Sequence, residues 1–176
     1  MKLMEKGQGG FTLVELLVAL PIAGLVVYAA TGAVVDILNS TRASSHMVTY
    51  IQVQSAGYWV SYDALQAQDV TTGANAGFPL TLSWTDWDSG DEHLVTYALE
   101  DMVSGDLKYL QRQESVNGAP TAPSLIGEYI YVDTDPNEPT NCVWNEDEKV
   151  LTFAVKAQVG EQVATRTYEI KPRPLS

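Results

Sequence analysis

The chain predicts an α+β fold, with one long N-terminal α-helix followed by an antiparallel β-sheet head. Three observations carry this. From Leu16 to Val35 there are twenty residues without a charge, about 30 Å as an α-helix and close to the hydrocarbon thickness of a bilayer. Residues 36–70 contain no proline and keep a helical period of apolar residues. Beyond them come short alternating or β-branched runs separated by turn residues, the pattern of strands and hairpins.

Residues 1–10 (MKLMEKGQGG) form a short polar leader with Lys2 and Lys6 and end in a glycine pair. An ordinary secretory signal places its small-residue cleavage site after the apolar stretch. Here the small residues precede it. Cleavage after Gly10 leaves the apolar helix on the mature chain, with a new α-amino group on Phe11, four residues before Glu15. An ionised carboxylate in hydrocarbon is expensive, so Glu15 at the start of a membrane-length helix calls for a partner or a purpose. Tyr28–Ala33 (YAATGA) offers a conventional cleavage site after an apolar core, but Glu15 would then lie inside the hydrophobic region of the signal.

The run Gly10-Phe11-Thr12-Leu13-Val14-Glu15-Leu16-Leu17-Val18-Ala19-Leu20 resembles the class III signal of type IV prepilins and type II secretion pseudopilins, over roughly residues 6–35. The resemblance implies a pilin-like fold and cleavage between Gly10 and Phe11 by a prepilin peptidase, with N-methylation of Phe11. It also implies that Glu15 pairs with the Phe11 amino group of a neighbouring subunit, fixing axial register in a filament. Two charges in an apolar filament core are each costly alone, although their pairing need not add much net stability. The partners implied are other pilin or pseudopilin subunits, the prepilin peptidase and an inner-membrane assembly platform.

Two features depart from that family. Pro21 lies inside the apolar helix, where it removes a backbone hydrogen bond and predicts a kink, tolerated in membrane helices. Major pilins usually carry a proline further along, at the position of Gly32. Gly32 is a weak helix former and a second expected point of flexibility. Gly24 and Gly32 can equally serve close helix packing.

The chain carries net charge −12, and loss of Lys2, Lys6 and Glu5 with the leader leaves −13. Positive charge on the leader and acid beyond the helix predict an N-terminus inside and a head outside, in a single-pass cytoplasmic-membrane protein. Such acidity argues against nucleic acid as a partner of the whole surface. Cys142 is the single cysteine, so no intrachain disulfide forms; it reads as a small buried apolar residue, the other use being a bond to another chain.

The expected organisation is a leader at 1–10, a transmembrane or filament-core helix at 11–35, its amphipathic continuation at 36–70, and a β-rich head at 71–176. The whole helix would run for about 55 residues, or roughly 80 Å. In its second half Ile37, Leu38, Met47, Val48, Ile51, Ala56, Trp59, Tyr62 and Leu65 recur near i+3 and i+4, while residues such as Arg42, Gln52 and Gln54 suit a polar outer face. The aromatic stripe Tyr58, Trp59, Tyr62 is expected to be the core face on the sheet rather than a ligand platform. Thr71–Pro79 reads as a loop. Pro79–Thr85, His93–Leu99 and Leu107–Gln113 read as one antiparallel meander. Leu125–Val132, Val150–Val155 and Val163–Ile170 read as a second set of strands, the last two turning at Gly160-Glu161. This layout is similar to that of J-type minor pseudopilins and W-type minor pilins, which implies a minor, tip-associated subunit.

Acidic loops supply the metal candidates, since calcium takes several oxygen ligands. Asp86, Asp88, Asp91 and Glu92 lie within seven residues, and Asp133 and Asp135 begin a second loop. Neither loop has EF-hand spacing. Solvated hairpin loops are the favoured reading and calcium the alternative; no other cofactor is expected. A third acidic stretch, Asn145–Glu148, reads as a plain charged turn. His46 and His93 are the only histidines, and neither sits in a catalytic or zinc motif, so the expectation is a structural subunit and not an enzyme. The rival class is a membrane-anchored extracytoplasmic binding module for calcium, DNA or a surface, which does not polymerise.

Overall fold

The computed structural model describes residues 12–103, 105–132 and 140–173. The chain forms two compact units that meet between Ala43 and Ser44. One helix, α1 (Leu13–Gln66), supplies the described part of the first unit and the opening of the second. It has 54 residues, against the about 55 expected from the sequence.

In the first unit every described side chain is exposed, and one span of α1 is long and apolar enough to cross a membrane. The helix continues through Pro21 and Gly32, and beyond the adjoining residues and the helix's own backbone no described atom lies within 4 Å of where a Cβ would stand on Gly24 or Gly32. Within the apolar run the Thr31 hydroxyl donates to the Val27 carbonyl at 2.8 Å. That bond spares the helix an unsatisfied polar group, which hydrocarbon would penalise.

In the second unit α1 packs on a single antiparallel sheet of nine strands, a pilin-like α+β arrangement. The strands are β1 (Asp69–Gly73), β2 (Gly77–Thr85), β3 (Glu92–Asp101), β4 (Leu107–Val116), β5 (Ala119–Pro120), β6 (Ser124–Tyr131), β7 (Asn141–Asn145), β8 (Val150–Val159) and β9 (Gln162–Ile170). Their order is β1-β2-β3-β4-β6-β8-β7, with β5 added to β4 and β9 to β8. The two strand groups expected from the sequence are therefore one sheet. β4 pairs with β6 through a bulged register and β6 touches β8 at Ile130–Ala157.

The helix ends at Gln66 rather than at residue 70, and β1 starts at Asp69. Much of the loop expected at 71–79 is a hairpin. Pro79 lies inside β2, beside a bulge where the register slips between Thr72 and Gly73. A proline is accommodated there because no ladder bond needs its missing N–H.

The helix face that meets the sheet differs from the expected one. Val53, Ala56, Val60 and Ala64 are fully buried, with Thr49, Gly57 and Asp63 beside them. Tyr58, Trp59 and Tyr62 are instead exposed; Tyr58 and Tyr62 stack with centroids 6.1 Å apart, and Trp59 meets both edge-on. Met47, Ile51 and Leu65 are also exposed. The reason is steric. The sheet contributes the large side chains, Tyr97, Leu110, Ile130 and Phe153 among them, so the helix must contribute small ones. At Gly57 a Cβ would fall 2.0 Å from Cζ of Tyr168, whose ring is stacked on Phe153 and whose hydroxyl donates to the Val53 carbonyl. Gln52, expected on the outer face, instead accepts a bond from the Glu128 N–H at 2.8 Å, beside the β4–β6 bulge. Cys142 is buried as expected.

Gly57→Ala should therefore overpack this contact and lower head stability by about 1–3 kcal/mol, read as the midpoint of urea unfolding. Tyr168→Phe, which keeps the ring and loses one hydroxyl bond, should cost less.

Candidate functional site

The first candidate is Glu15, in the opening turn of α1. Its Oε2 accepts from the Thr12 backbone N–H and from the Thr12 hydroxyl, both at 3.1 Å. The Glu15 N–H in turn donates to Thr12 Oγ1 at 3.3 Å. This reciprocal pair is a capping box, Thr12 at the N-cap and Glu15 three residues on, and it satisfies amide donors that a helix start leaves unpaired. The T-x-x-E spacing was a legible signal that the sequence reading passed over. Oε1 receives no bond among the described residues, so the carboxylate retains acceptor capacity. Gly10 and Phe11, the expected cleavage and methylation positions, lie outside the described residues, as do Asp133 and Asp135.

The other acidic candidates organise their own loop. Asp86 Oδ1 accepts from the Asp88 and Ser89 N–H groups at 2.7 and 3.2 Å, and these bonds hold its pKa below the usual carboxylate range. Asp91 accepts from the Asn117 side chain at 2.7 Å, the main cause of its own lowered pKa. Among the described residues no three His, Cys, Asp or Glu side chains converge on a common point. Asp86, Asp88, Asp91 and Glu92 share a loop without forming a cage.

A second cluster was not legible as such. Asp63 projects from α1 into the core with no exposed surface. Arg112 of β4 clasps it with two bonds, Nε to Oδ2 at 2.7 Å and Nη2 to Oδ1 at 3.0 Å. The Tyr97 hydroxyl of β3 also donates to Asp63 Oδ2. Nη1 of Arg112 bonds Glu114 at 3.0 Å, and the other Glu114 oxygen meets His93 Nδ1 at 3.0 Å. His93 lies flat against Trp84, with ring centroids 5.1 Å apart, and Arg112 also stands over the Trp59 ring. Burial and the adjacent Asp63 charge push the Tyr97 pKa up, and its bonds to Asp63 raise that of Arg112. Burial alone would raise the Glu114 carboxyl, but bonds from His93 and Arg112 outweigh it and hold the value low. One signal was available in the sequence: a charged residue at an inward helical position, which burial permits only when paired. The cluster joins helix to sheet and takes in His93, whereas His46 is exposed on the helix.

A family model described as the prokaryotic N-terminal methylation motif matches residues 6–30. The match supports a type IV pilin-like protein, a structural subunit with a methylated N-terminus and a membrane helix. Such a motif implies contact with other pilin subunits and with the prepilin peptidase. It fits a membrane-anchored pilin with an extracellular head. No curated protein matches the chain. No solved structure matches it either.

Arg112→Ala strands the buried Asp63 charge and should cost about 3–5 kcal/mol of head stability. The double variant Asp63→Asn, Arg112→Met should unfold at a higher urea concentration than Arg112→Ala, because the fully buried site at position 63 then carries no charge.

The pH profile follows from the same groups. Glu114 titrates lower in the folded head, so its contribution is present above the unfolded carboxyl value of about 4.3 and is lost as pH falls through the folded one. Tyr97 titrates higher in the folded head, so its contribution is complete below about pH 10 and is lost as pH rises beyond that. Urea midpoints measured across the pH range should form a plateau bounded on both sides, and Tyr97→Phe should flatten the alkaline flank.

Proposed function

We propose that this chain is a minor, tip-associated subunit of a type II secretion pseudopilus or a type IV pilus. It is inserted as a single-pass cytoplasmic-membrane protein, cleaved between Gly10 and Phe11, methylated on Phe11, and passed by an inner-membrane assembly platform into a helical filament. The observation that carries this reading is Glu15, an acidic side chain opening a helix whose next twenty residues are uncharged, within the matched methylation motif. Support for a minor role comes from the size of the head, nine strands over about a hundred residues. In the filament Glu15 accepts the Phe11 ammonium of a neighbouring subunit, using the acceptor capacity that the capping box leaves free. Pro21 and Gly32 provide the points at which α1 adjusts on extraction from the bilayer.

The capping box gives Glu15 a use even in a passive anchor, so the test must separate the two roles. Glutamine at N3 preserves the cap and removes the charge. Glu15→Gln should insert in the membrane at wild-type levels but be lost from sheared filaments at least tenfold, as should Glu15→Ala. Wild-type incorporation of Glu15→Gln would leave capping as the whole role of the residue. Mass spectrometry of the mature chain should find N-methylphenylalanine at position 11 as its first residue.

A further inference from the structure

The sheet curls until its two ends run side by side. β7 lies beside β1 and β2, yet no ladder pair joins β7 to β1 among the described residues. At one end the seam is closed: the Cys142 N–H donates to the Ala76 carbonyl at 2.9 Å, and a Cβ on Gly77 would stand 1.9 Å from the Cys142 carbonyl oxygen. At the other end it opens into a cavity of about 960 Å³, in the range of ligand sites. Four elements border it: the last turn of α1, the start of β1, the β7–β8 turn and the chain that leaves β9.

The lining has a particular chemistry. Leu65, Val70 and Trp144 provide apolar surface, and Lys149, Lys171 and Arg173 provide three cations. Lys149 stands over the Trp144 ring, and none of the three cations has a carboxylate partner among the described residues. Asp69 and the Glu146–Glu148 turn also border the cavity, and they would repel a densely acidic ligand. The backbone adds the decisive element. β1 is hydrogen-bonded on one side, to β2, and its other edge borders the cavity through Asp69 and Val70. An unpaired strand edge beside side-chain pockets is how extended peptides are bound, main chain for affinity and alternate side chains for specificity.

We propose that the open end of the β1–β7 seam binds an extended peptide segment of a partner protein, carrying one acidic side chain between apolar ones. The β1 edge takes its backbone, Leu65, Val70 and Trp144 take its apolar side chains, and the carboxylate goes to Lys149, Lys171 and Arg173. This site stands apart from the role of Glu15, so failure of either leaves the other intact.

The test uses the full chain in nonionic micelles and a capped hexapeptide alternating valine and threonine about one central glutamate. Binding is followed by fluorescence anisotropy and by amide shifts at Val70, Thr71 and Trp144. The glutamate peptide should bind with shifts at those three positions. A lysine in place of its glutamate should weaken binding at least tenfold, as should the charge reversals Lys171→Glu and Arg173→Glu together. Both residues are exposed, so an unchanged thermal melt should confirm that the variant is folded. Methylating alternate peptide nitrogens should abolish binding, because strand addition needs those donors. No binding by any peptide, equal binding of the glutamate and lysine peptides, or full binding after N-methylation would each overturn the proposal.

Discussion

Asp63 lies in the middle of the helix face that the sheet covers, and the head is arranged around its clasp by Arg112. Carboxylates lose several kcal/mol when taken out of water, and only a close, multiply bonded partner restores the balance. Arg112 does so with a two-pronged contact from β4, and Tyr97 adds a third bond from β3. Such a clasp is directional. A slip of one residue in β4 would turn Arg112 to the opposite face of the sheet, and a slip of α1 would carry Asp63 away by 100° of rotation per residue, as 3.6 residues per turn requires. Two weaker constraints agree with it. Tyr168 of β9 fits only over the missing side chain of Gly57, and Gln52 reaches the amide of Glu128 beside the β4–β6 bulge. Four strands from different parts of the chain thereby read the same helical register.

The architecture was largely legible because its signals are local. An uncharged run of membrane length, a helical period without proline and six strand-like segments each announce themselves within ten or twenty residues, and all six segments are strands. β1, β5 and β7 were missed. β1 and β7 are five residues each and β5 only two, and they exist because neighbours supply their hydrogen bonds. The inward face of the helix was misread for a related reason. Large apolar residues normally mark a core face, yet here the sheet brings the bulk and the helix must be small at Ala56, Gly57, Val60 and Ala64. Which partner supplies the volume is a property of the pair, and one sequence segment does not contain it. The Asp63 clasp shares that character: its carboxylate and its guanidinium lie 49 residues apart.

Glu15 shows how one residue can satisfy two demands in different states. In the single chain its carboxylate closes a capping box with Thr12, which keeps the first turn of a lipid-length helix from exposing amide donors. A carboxylate has room for several bonds, and two of them, both to Oε2, are taken by Thr12. The cost of carrying the charge near hydrocarbon is thus partly offset before any partner arrives. Intersubunit pairing would then have to supply only the remainder, which makes a modestly favourable ion pair sufficient to set register.

The sheet's edges follow a complementary logic. A curled sheet that stops short of closure leaves edge strands, and exposed edges invite unwanted pairing. β9 lies against the helix, with Tyr168 over Gly57 and Arg166 bonded to Tyr50. The β1–β7 seam is pinned at Ala76–Cys142 by one bond and by the tight passage at Gly77, which leaves the opposite end open. If closure alone were the purpose, a further bond or two between β1 and β7 would complete the barrel at little cost. Instead the open end is bordered by the β7–β8 turn and lined by apolar side chains, carboxylates and cations together. A defect of folding would tend to be filled by the protein's own side chains, whereas a gap kept open and chemically lined is what a site for another chain requires.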